Sequence, residues 1–523
     1  MKPNQINNIS SLLLLLIFIS CSKGKGSGDD TPPVRMNLVS WSVNNVSGKT
    51  DYDNVPVLPE MRFRFSAPVK RSSVTNAFSL SEVSASSVAM NVSYADADST
   101  VIIKPAASFG FLKKYKLTLT RLLESTAGRT LENAITIDLR TQLDSSRKFP
   151  QLTDDQLLTK VQAQTFKYFW DFAHPVSGLA RERSNGSDNV TASGGSGFGI
   201  MAILVGIERG FITRAQGLTR LQTIVNFLKN TTVKHKGAFP HWIDGNTGAT
   251  LPFSTKDNGA DLVETSYLIM GLLCARQYFG DADPTETMLR NNINEIWQNV
   301  EWDWFRRGGQ QVLYWHWSPQ YEWDMNLPIS GWNECLITYV LAASSPTHSI
   351  PASVYTNGWT RNGAFVNGGI YNGYRLPLGP AFGGPLFLSH YSFLGINPNG
   401  LTDAYANYAD QTRNHTLINY SHCLNNPGSF AGYSDSIWGL TASDIPAGYT
   451  ASSPTNDLGV IAPTAAISSL PFTPAQSMAA LHFFYYVLGD KLWKDYGFID
   501  AFSLNKTGMP VRTWQSTRDQ SSS

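Results

Sequence analysis

Three carboxylates open one apolar helical pattern: Asp257, Asp261 and Glu264 stand at i, i+4 and i+7 in the segment from Phe253 to Leu273. At about 100° per residue the offsets amount to about 40° and −20°, so all three share one face if the helix reaches back to Asp257. No Lys or Arg one turn on offsets this stripe of like charge. Asp257 or Asp261 could instead complement the helix N-terminus, a favoured place for acids, but that reading leaves Glu264 unexplained, a turn further in. A further acid, Glu334, begins another apolar pattern in Pro328–Tyr339. Acids at two helix starts suit general acid–base work. One carboxyl of raised pKa protonates a leaving oxygen, while another attacks carbon or activates water.

Such chemistry needs a substrate, and the rings suggest which. Seven of the 14 Trp lie between Trp297 and Trp332, and Tyr314-Trp315-His316-Trp317 reads as a strand of consecutive rings. Alternation would bury one set and display the other, with at least half of the rings in the core. The displayed remainder would form stacking platforms for flat, neutral ligands such as sugars. Acids facing a ring-lined cleft are what glycoside hydrolysis requires. A protein that only binds glycan at a surface is the competing reading, since binding needs the rings more than the acids.

Other chemistries find less support. Gly197-Phe-Gly199-Ile-Met-Ala202 fits a dinucleotide fingerprint in form, but polar turn residues precede it where a strand is required, so its small residues read as helix packing. No Walker loop, H-E-x-x-H or G-x-S-x-G occurs, and the nine histidines show no metal-ligand spacing, so neither metal nor cofactor is expected. With 41 Lys+Arg against 40 Asp+Glu and no basic tract, nucleic acid is not an expected partner. Cys274, Cys335 and Cys423 cannot form a disulfide framework, and Cys274 and Cys335, within apolar helical patterns, read as small buried hydrophobes.

The 523 residues leave room for more than one domain, and two periodicities divide them. Residues 1–20 read as a signal peptide, with an apolar run at Leu12–Ile19 before Cys21. Residues 21–33 read as a flexible tether. Between 34 and 141 the period is two, as in Met61, Phe63 and Phe65, which predicts an antiparallel β-sandwich. A polar linker covers 142–150. From 151 the period becomes helical, with helices expected at Gly197–Arg209, Thr213–Lys229, Gly259–Phe279, Pro284–Trp297, Gly331–Ala343, Leu401–Asn419 and Pro474–Leu488. The long Gly/Trp/Tyr-rich joins suggest an α/α toroid with its loops around a central cleft.

Phe18-Ile19-Ser20-Cys21 resembles a bacterial lipoprotein signal, in which Cys21 carries the lipid; plain secretion is the alternative. This implies a cell-envelope location, as an outer-membrane lipoprotein facing periplasm or cell surface, or a secreted protein, with no membrane contact except the anchor. Phe63–Val69, Val101–Pro105 and Tyr115–Thr120 resemble bacterial Ig-like domains. Several further segments resemble glycoside hydrolase family 144 and the wider glucoamylase-like domain of Bacteroidetes lipoproteins. They are Gly178–Arg183, Gly194–Ala202, Pro240–Asp244, Asp257–Leu273, Trp315–Trp317, Asn333-Glu334, Ser389–Gly395, Trp438–Asp444 and Tyr496–Phe502. The resemblance covers about residues 150–518. It implies a mainly α fold, an (α/α)6 toroid over 151–518, and metal-free hydrolysis of β-1,2-linked glucan, apparently inverting. Endo cleavage and release of sophorose from chain ends both stay open. The family's essential acids fall on Asp257, Asp261, Glu264 and Glu334. Glu334 and Asp261 are taken as the acid/base pair, with the other two supporting. Trp315, His316, Trp317, His390 and Trp438 are the candidate sugar contacts, with His316 and His390 equally readable as core residues. A monomer is expected.

Overall fold

A computed structural model describes residues 35–83 and 87–504. The signal peptide, Cys21 and the tether therefore lie outside the described residues. The chain divides into two units, the first made of residues up to 109 together with 114–139, and the second of 110–113 with 140 onward.

The first unit is a sandwich. Strands β1 (Leu38–Val43), β2 (Val46–Ser47), β4 (Met61–Phe65), β6 (Met90–Ala95) and β7 (Thr100–Pro105) form one sheet, in the order β2-β1-β4-β7-β6. Strands β3 (Asp51–Val55), β5 (Phe78–Glu82), β8 (Lys114–Leu119) and β9 (Ile135–Thr141) form the other, in the order β3-β9-β8-β5, and a short helix α1 (Arg71–Ala77) precedes β5. The expected alternation is present. Met61, Phe63 and Phe65 are buried while Arg62 and Arg64 face water, and Tyr115, Leu117 and Leu119 repeat the pattern on β8. Strand β6 is an edge, and its Met90, Val92 and Tyr94 are only half-buried.

The second unit is helical. Helices α2 (Asp154–Trp170) and α4 (Arg214–Asn230) both begin in capping boxes, Thr153 with Gln156 and Thr213 with Gln216. Between them lie β10 (Val190–Ala192) and α3 (Ser193–Glu208). Next come β11 (Trp242–Asp244), β12 (Thr250–Leu251), β13 (Ala260–Asp261), α5 (Leu262–Tyr278) and α6 (Pro284–Gln298). Three two-residue strands follow, β14 (Leu313–Tyr314), β15 (His316–Trp317) and β16 (Pro328–Ile329), then α7 (Leu336–Ser344), a single turn α8 (Ala352–Val354) and α9 (Tyr408–Asn425). Helices α10 (Pro463–Ser468) and α11 (Pro474–His482) follow, α11 runs into a π-turn at Phe483–Val487, and a one-turn helix α12 (Gly489–Leu492) comes last.

Alternate helices are neighbours. Helix α5 packs against α3 and α7, α4 packs against α6, and α2 packs against α3. Leu157 and Val161 of α2 share a core cluster with Leu481 and Tyr485, so the first helix of this unit meets the last one longer than a single turn. Backbone contact between α3 and α5 depends on glycine. A Cβ on Gly197 would lie 2.1 Å from the Tyr267 carbonyl oxygen, and one on Gly271 would lie 2.2 Å from that of Gly197. The small residues that mimicked a nucleotide motif thus serve helix packing.

Several helix starts differ from expectation for local reasons. Helix α5 begins at Leu262 rather than Gly259, because the Asp261 side chain caps it. Helix α7 begins at Leu336 rather than Gly331, since the Asn333 side chain accepts from Cys335 N in a turn. Helix α9 begins at Tyr408 rather than Leu401, because Asp403 accepts from Tyr405 N and Ala406 N and Asn407 then caps the helix.

Candidate active site

The acids meet because a two-residue ladder joins two distant loops. Strand β13 pairs antiparallel with β15, which sets Asp261 opposite His316. Asp261 then ends its strand as the N-cap of α5, where its Oδ1 accepts Val263 N and Glu264 N, each at 2.9 Å. Its Oδ2 lies 3.0 Å from His241 Nδ1 and 3.5 Å from His316 Nε2. Asp257 does not belong to the helix, so the single-face prediction fails for it; a turn closed by Asp257 N–H to the Ser254 carbonyl brings it in. Its Oδ2 reaches His316 Nε2 at 3.3 Å and His241 Nδ1 at 3.8 Å. Two aspartates and two histidines thus form one buried cluster, and His241 stacks on Phe253 at 4.1 Å.

Charge sorts these groups. Burial alone would raise the Asp261 carboxyl, but hydrogen bonds from His241 and His316 outweigh it and hold the group well below the ordinary range. Burial alone would lower both histidines. The surrounding carboxylates reverse that, Glu264 foremost for His241 and Asp257 foremost for His316, and push each up to about 9.

Glu264 and Glu334 behave differently. Glu264 lies at the first turn of α5, and its Oε2 accepts Gly194 N at 2.9 Å. Burial, and the charges of Asp261 and Asp257, push it up to about 7 against the opposing pull of His241. A Cβ at 194 would lie 2.2 Å from that oxygen, so glycine is what lets the carboxylate reach this N–H undisplaced. Glu334 sits in the turn before α7, raised to about 6 by burial and by the charge of Asp261. Its carbonyl accepts from Ser392 Oγ at 2.5 Å and from Tyr267 Oη at 3.3 Å. A turn deeper, the Ser266 and Thr338 hydroxyls meet at 2.8 Å and lock α5 to α7.

Further charge acts on Tyr391. Burial raises the Tyr391 hydroxyl, and Tyr449, Glu264, Glu334 and Asp500 all raise it further, so several carboxylates act on one ring. Asp500 accepts Asp444 N at 2.7 Å and is raised chiefly by its protein surroundings, yet water reaches it. Arg183 pairs with Glu182 at 2.7 Å and lies 3.7 Å from Asp444. His241, Tyr391 and Asp500 received no role from sequence reasoning; their only signal was that each falls inside a segment of the family resemblance.

The sugar-contact candidates separate. Trp315 and Trp317 are half-buried, Trp315 lying parallel to the His316 ring at 5.7 Å and Trp317 edge-on to Trp304 at 5.5 Å. Clean alternation is absent, because β14 ends at Tyr314 and pairs with β16, whereas β15 pairs with β13. Of the seven clustered tryptophans, Trp302 and Trp332 are buried and the other five half-buried. His316 serves as a carboxylate partner. Two candidates require correction. Trp438 is 0% exposed and donates Nε1–H to the Gln476 carbonyl, so it is a core residue. His390 is 8% exposed, with Ser468 Oγ and Ser469 Oγ at its two ring nitrogens, and burial pushes it down to about 3. It is a neutral core histidine.

An Ig-like sandwich followed by a helical domain that gathers acids at the starts of its helices defines a class of modular protein, and comparison with known proteins agrees. A family model described as "Putative glucoamylase" matches residues 326–521, and one described as "Bacterial Ig-like domain" matches 39–141. A solved "putative glucoamylase" from Bacteroides uniformis is 54% identical, with a TM-score of 0.67, covering 68% of this chain and 87% of its own. An endo-β-1,2-glucanase from Chitinophaga pinensis, solved with sophorotriose and glucose, is 51% identical with a TM-score of 0.66 over the same shares, 68% and 87%. A β-1,2-glucanase structure from Parabacteroides distasonis is 36% identical, with a TM-score of 0.66, over 92% of this chain and 68% of its own. A curated exo β-1,2-glucooligosaccharide sophorohydrolase (non-reducing end) from Parabacteroides distasonis is 45% identical over 384 residues, 69% of this chain. The chain spans 53%, about half, of the length of that curated relative. The chain belongs to the glucoamylase-like family of the glycoside hydrolase family 144 type, with a bacterial Ig-like domain preceding it.

Proposed function

We propose that this protein hydrolyses β-1,2-linked glucan or its oligosaccharides. The observation that carries this reading is the convergence of Asp257 and Asp261 on His241 and His316 at the start of α5, with Glu334 close enough for the charge of Asp261 to raise it. Glu334, raised to about 6, carries a proton under mildly acidic conditions and donates it to the glycosidic oxygen as the bond to the anomeric carbon breaks. Water attacks that carbon from the opposite face and gives its proton to a carboxylate there, which inverts the configuration. Asp261 is not that base. It is 0% exposed, and its oxygens are committed to two backbone N–H groups and two histidines. Asp500, which water reaches, takes the role. Asp257, Asp261, His241 and His316 hold the start of α5 and hence Glu264. Trp315 and Trp317 offer faces to the glucosyl units. No metal or cofactor enters this scheme.

The helical unit is an (α/α)6 toroid in this reading, supported by packing between alternate helices and by the meeting of its first helix with the last one longer than a single turn. The relatives named above include both an endo-β-1,2-glucanase and an exo-acting sophorohydrolase, so both modes enter the proposal. A monomeric lipoprotein of the cell envelope, anchored through Cys21, is part of it.

Incubation with β-1,2-, β-1,3- and α-1,4-glucans, followed by chromatography, tests the function. Cleavage of the β-1,2-glucan alone is expected, with sophorose as sole product for the exo mode and a ladder for the endo mode. No cleavage of any glucan overturns the reading.

A further inference from the structure

The buried cluster has a second chemical capacity. His241 Nδ1, Asp257 Oδ2 and Asp261 Oδ2 lie within 4.8 Å of one another, and His316 Nε2 lies 3.3 Å and 3.5 Å from the same two carboxylate oxygens. Imidazole nitrogen and carboxylate oxygen are the ligands of zinc sites, with bonds of about 2.0–2.2 Å. Neighbouring ligands of a tetrahedral ion at such distances stand about 3.3 Å apart. The four His–Asp separations here are 3.0, 3.3, 3.5 and 3.8 Å. Histidines 75 residues apart in sequence form this set, which is why linear spacing gave no sign of it.

An independent observation points to a ligand. Asp257 is 3% exposed, yet its Oδ1 has no hydrogen-bond partner. Buried polar atoms are rarely left unpaired unless water or an ion completes them. Asp261, by contrast, is already oriented, because the two N–H groups at the start of α5 fix its carboxylate plane, as outer partners fix the ligands of metal sites.

We propose that this cluster is a latent inhibitory site for a zinc-like divalent cation, with His241, Asp257 and Asp261 as ligands and the fourth position left to water. Occupancy would hold these side chains on the metal beside Glu264 and Glu334 and stop turnover. Magnesium and calcium are poor fits, because they take six or more ligands, predominantly oxygen. The inference does not require that the substrate be a glucan.

Isothermal titration of the chelator-stripped full chain with zinc chloride tests it. One zinc per chain is expected, with no comparable heat from magnesium. Asp257→Asn and His241→Gln should each weaken zinc about 100-fold or more, at or beyond the loss produced by removing an outer partner. His348→Gln, at the exposed pair with Asp303, should leave binding unchanged. Circular dichroism checks that the variants fold. If they do not, anomalous scattering from zinc-soaked wild-type crystals decides, with a peak expected between His241 and the two aspartates. Absence of binding, binding insensitive to both cluster substitutions, or a peak only elsewhere overturns the proposal. Loss of glucan cleavage in zinc but not in magnesium is expected as well, whereas a protein inactive on every glucan yet still binding zinc at the cluster would sink only the hydrolase reading.

Discussion

Glu334 and Asp261 are both acids at helix starts, yet their surroundings drive them apart. Asp261 gains two backbone N–H groups and two histidines, so burial does not keep its proton on. Glu334 gains no cation and is raised to about 6. As proton donor it works only while protonated, so kcat/KM should fall on the alkaline side with an apparent pKa of about 6, read from a pH–rate profile. Glu334→Gln should remove that limb and lower kcat by about 10²–10⁴-fold with the fold retained; an unchanged rate would favour a protein that only binds glycan. The same group has a stability consequence. Its folded pKa exceeds its ordinary 4.5, so its contribution is present below about 4.5 and lost as pH rises through about 6, up to about 2 kcal/mol. The rings make a separate contrast. Trp438→Ala should cost about 3–5 kcal/mol in denaturant unfolding, as removal of a buried ring does. Trp315→Ala should instead raise KM with little loss of stability, if the half-buried ring stacks on sugar.

At the scale of elements, the contact between α3 and α5 positions the site. Gly194 receives Glu264 at the start of α3, and Gly197 lets the two helix backbones touch one turn further on. Gly197→Ala would drive a methyl group onto the Tyr267 carbonyl, a backbone atom that cannot rotate away. A loss of about 3 kcal/mol or more is expected from urea unfolding. Gly194→Ala aims at the chemistry instead, because it must displace Glu264, and activity should fall further than stability. The β13–β15 ladder is short, yet it sets Asp261 opposite His316 across a loop rich in tryptophan.

At the scale of the molecule, two units carry separate cores, one around Met61, Phe63 and Val101 in the sandwich and others in the helical part. Scanning calorimetry should therefore show unfolding that is not two-state, with a calorimetric enthalpy larger than the van't Hoff value. Much of this organisation was legible in the sequence, because periodicity is local: period two gave the strand alternation of Met61–Phe65, and the apolar period gave α4 and α6 nearly to the residue. Asp257, Asp261, Glu264 and Glu334 could likewise be picked out as candidates, as like charges clustered near apolar helix starts. Tertiary structure alone decided what each acid is. The offsets that set three carboxylates on one helix could not reveal that the helix begins only at Leu262, or that His241 and His316 arrive from other segments to pair with the two aspartates. Nor could they tell the half-buried Trp315 from the wholly buried Trp438. A side chain's charge state and exposure depend on partners far away along the chain, and local sequence carries the propensity of a segment but not the identity of what folds against it.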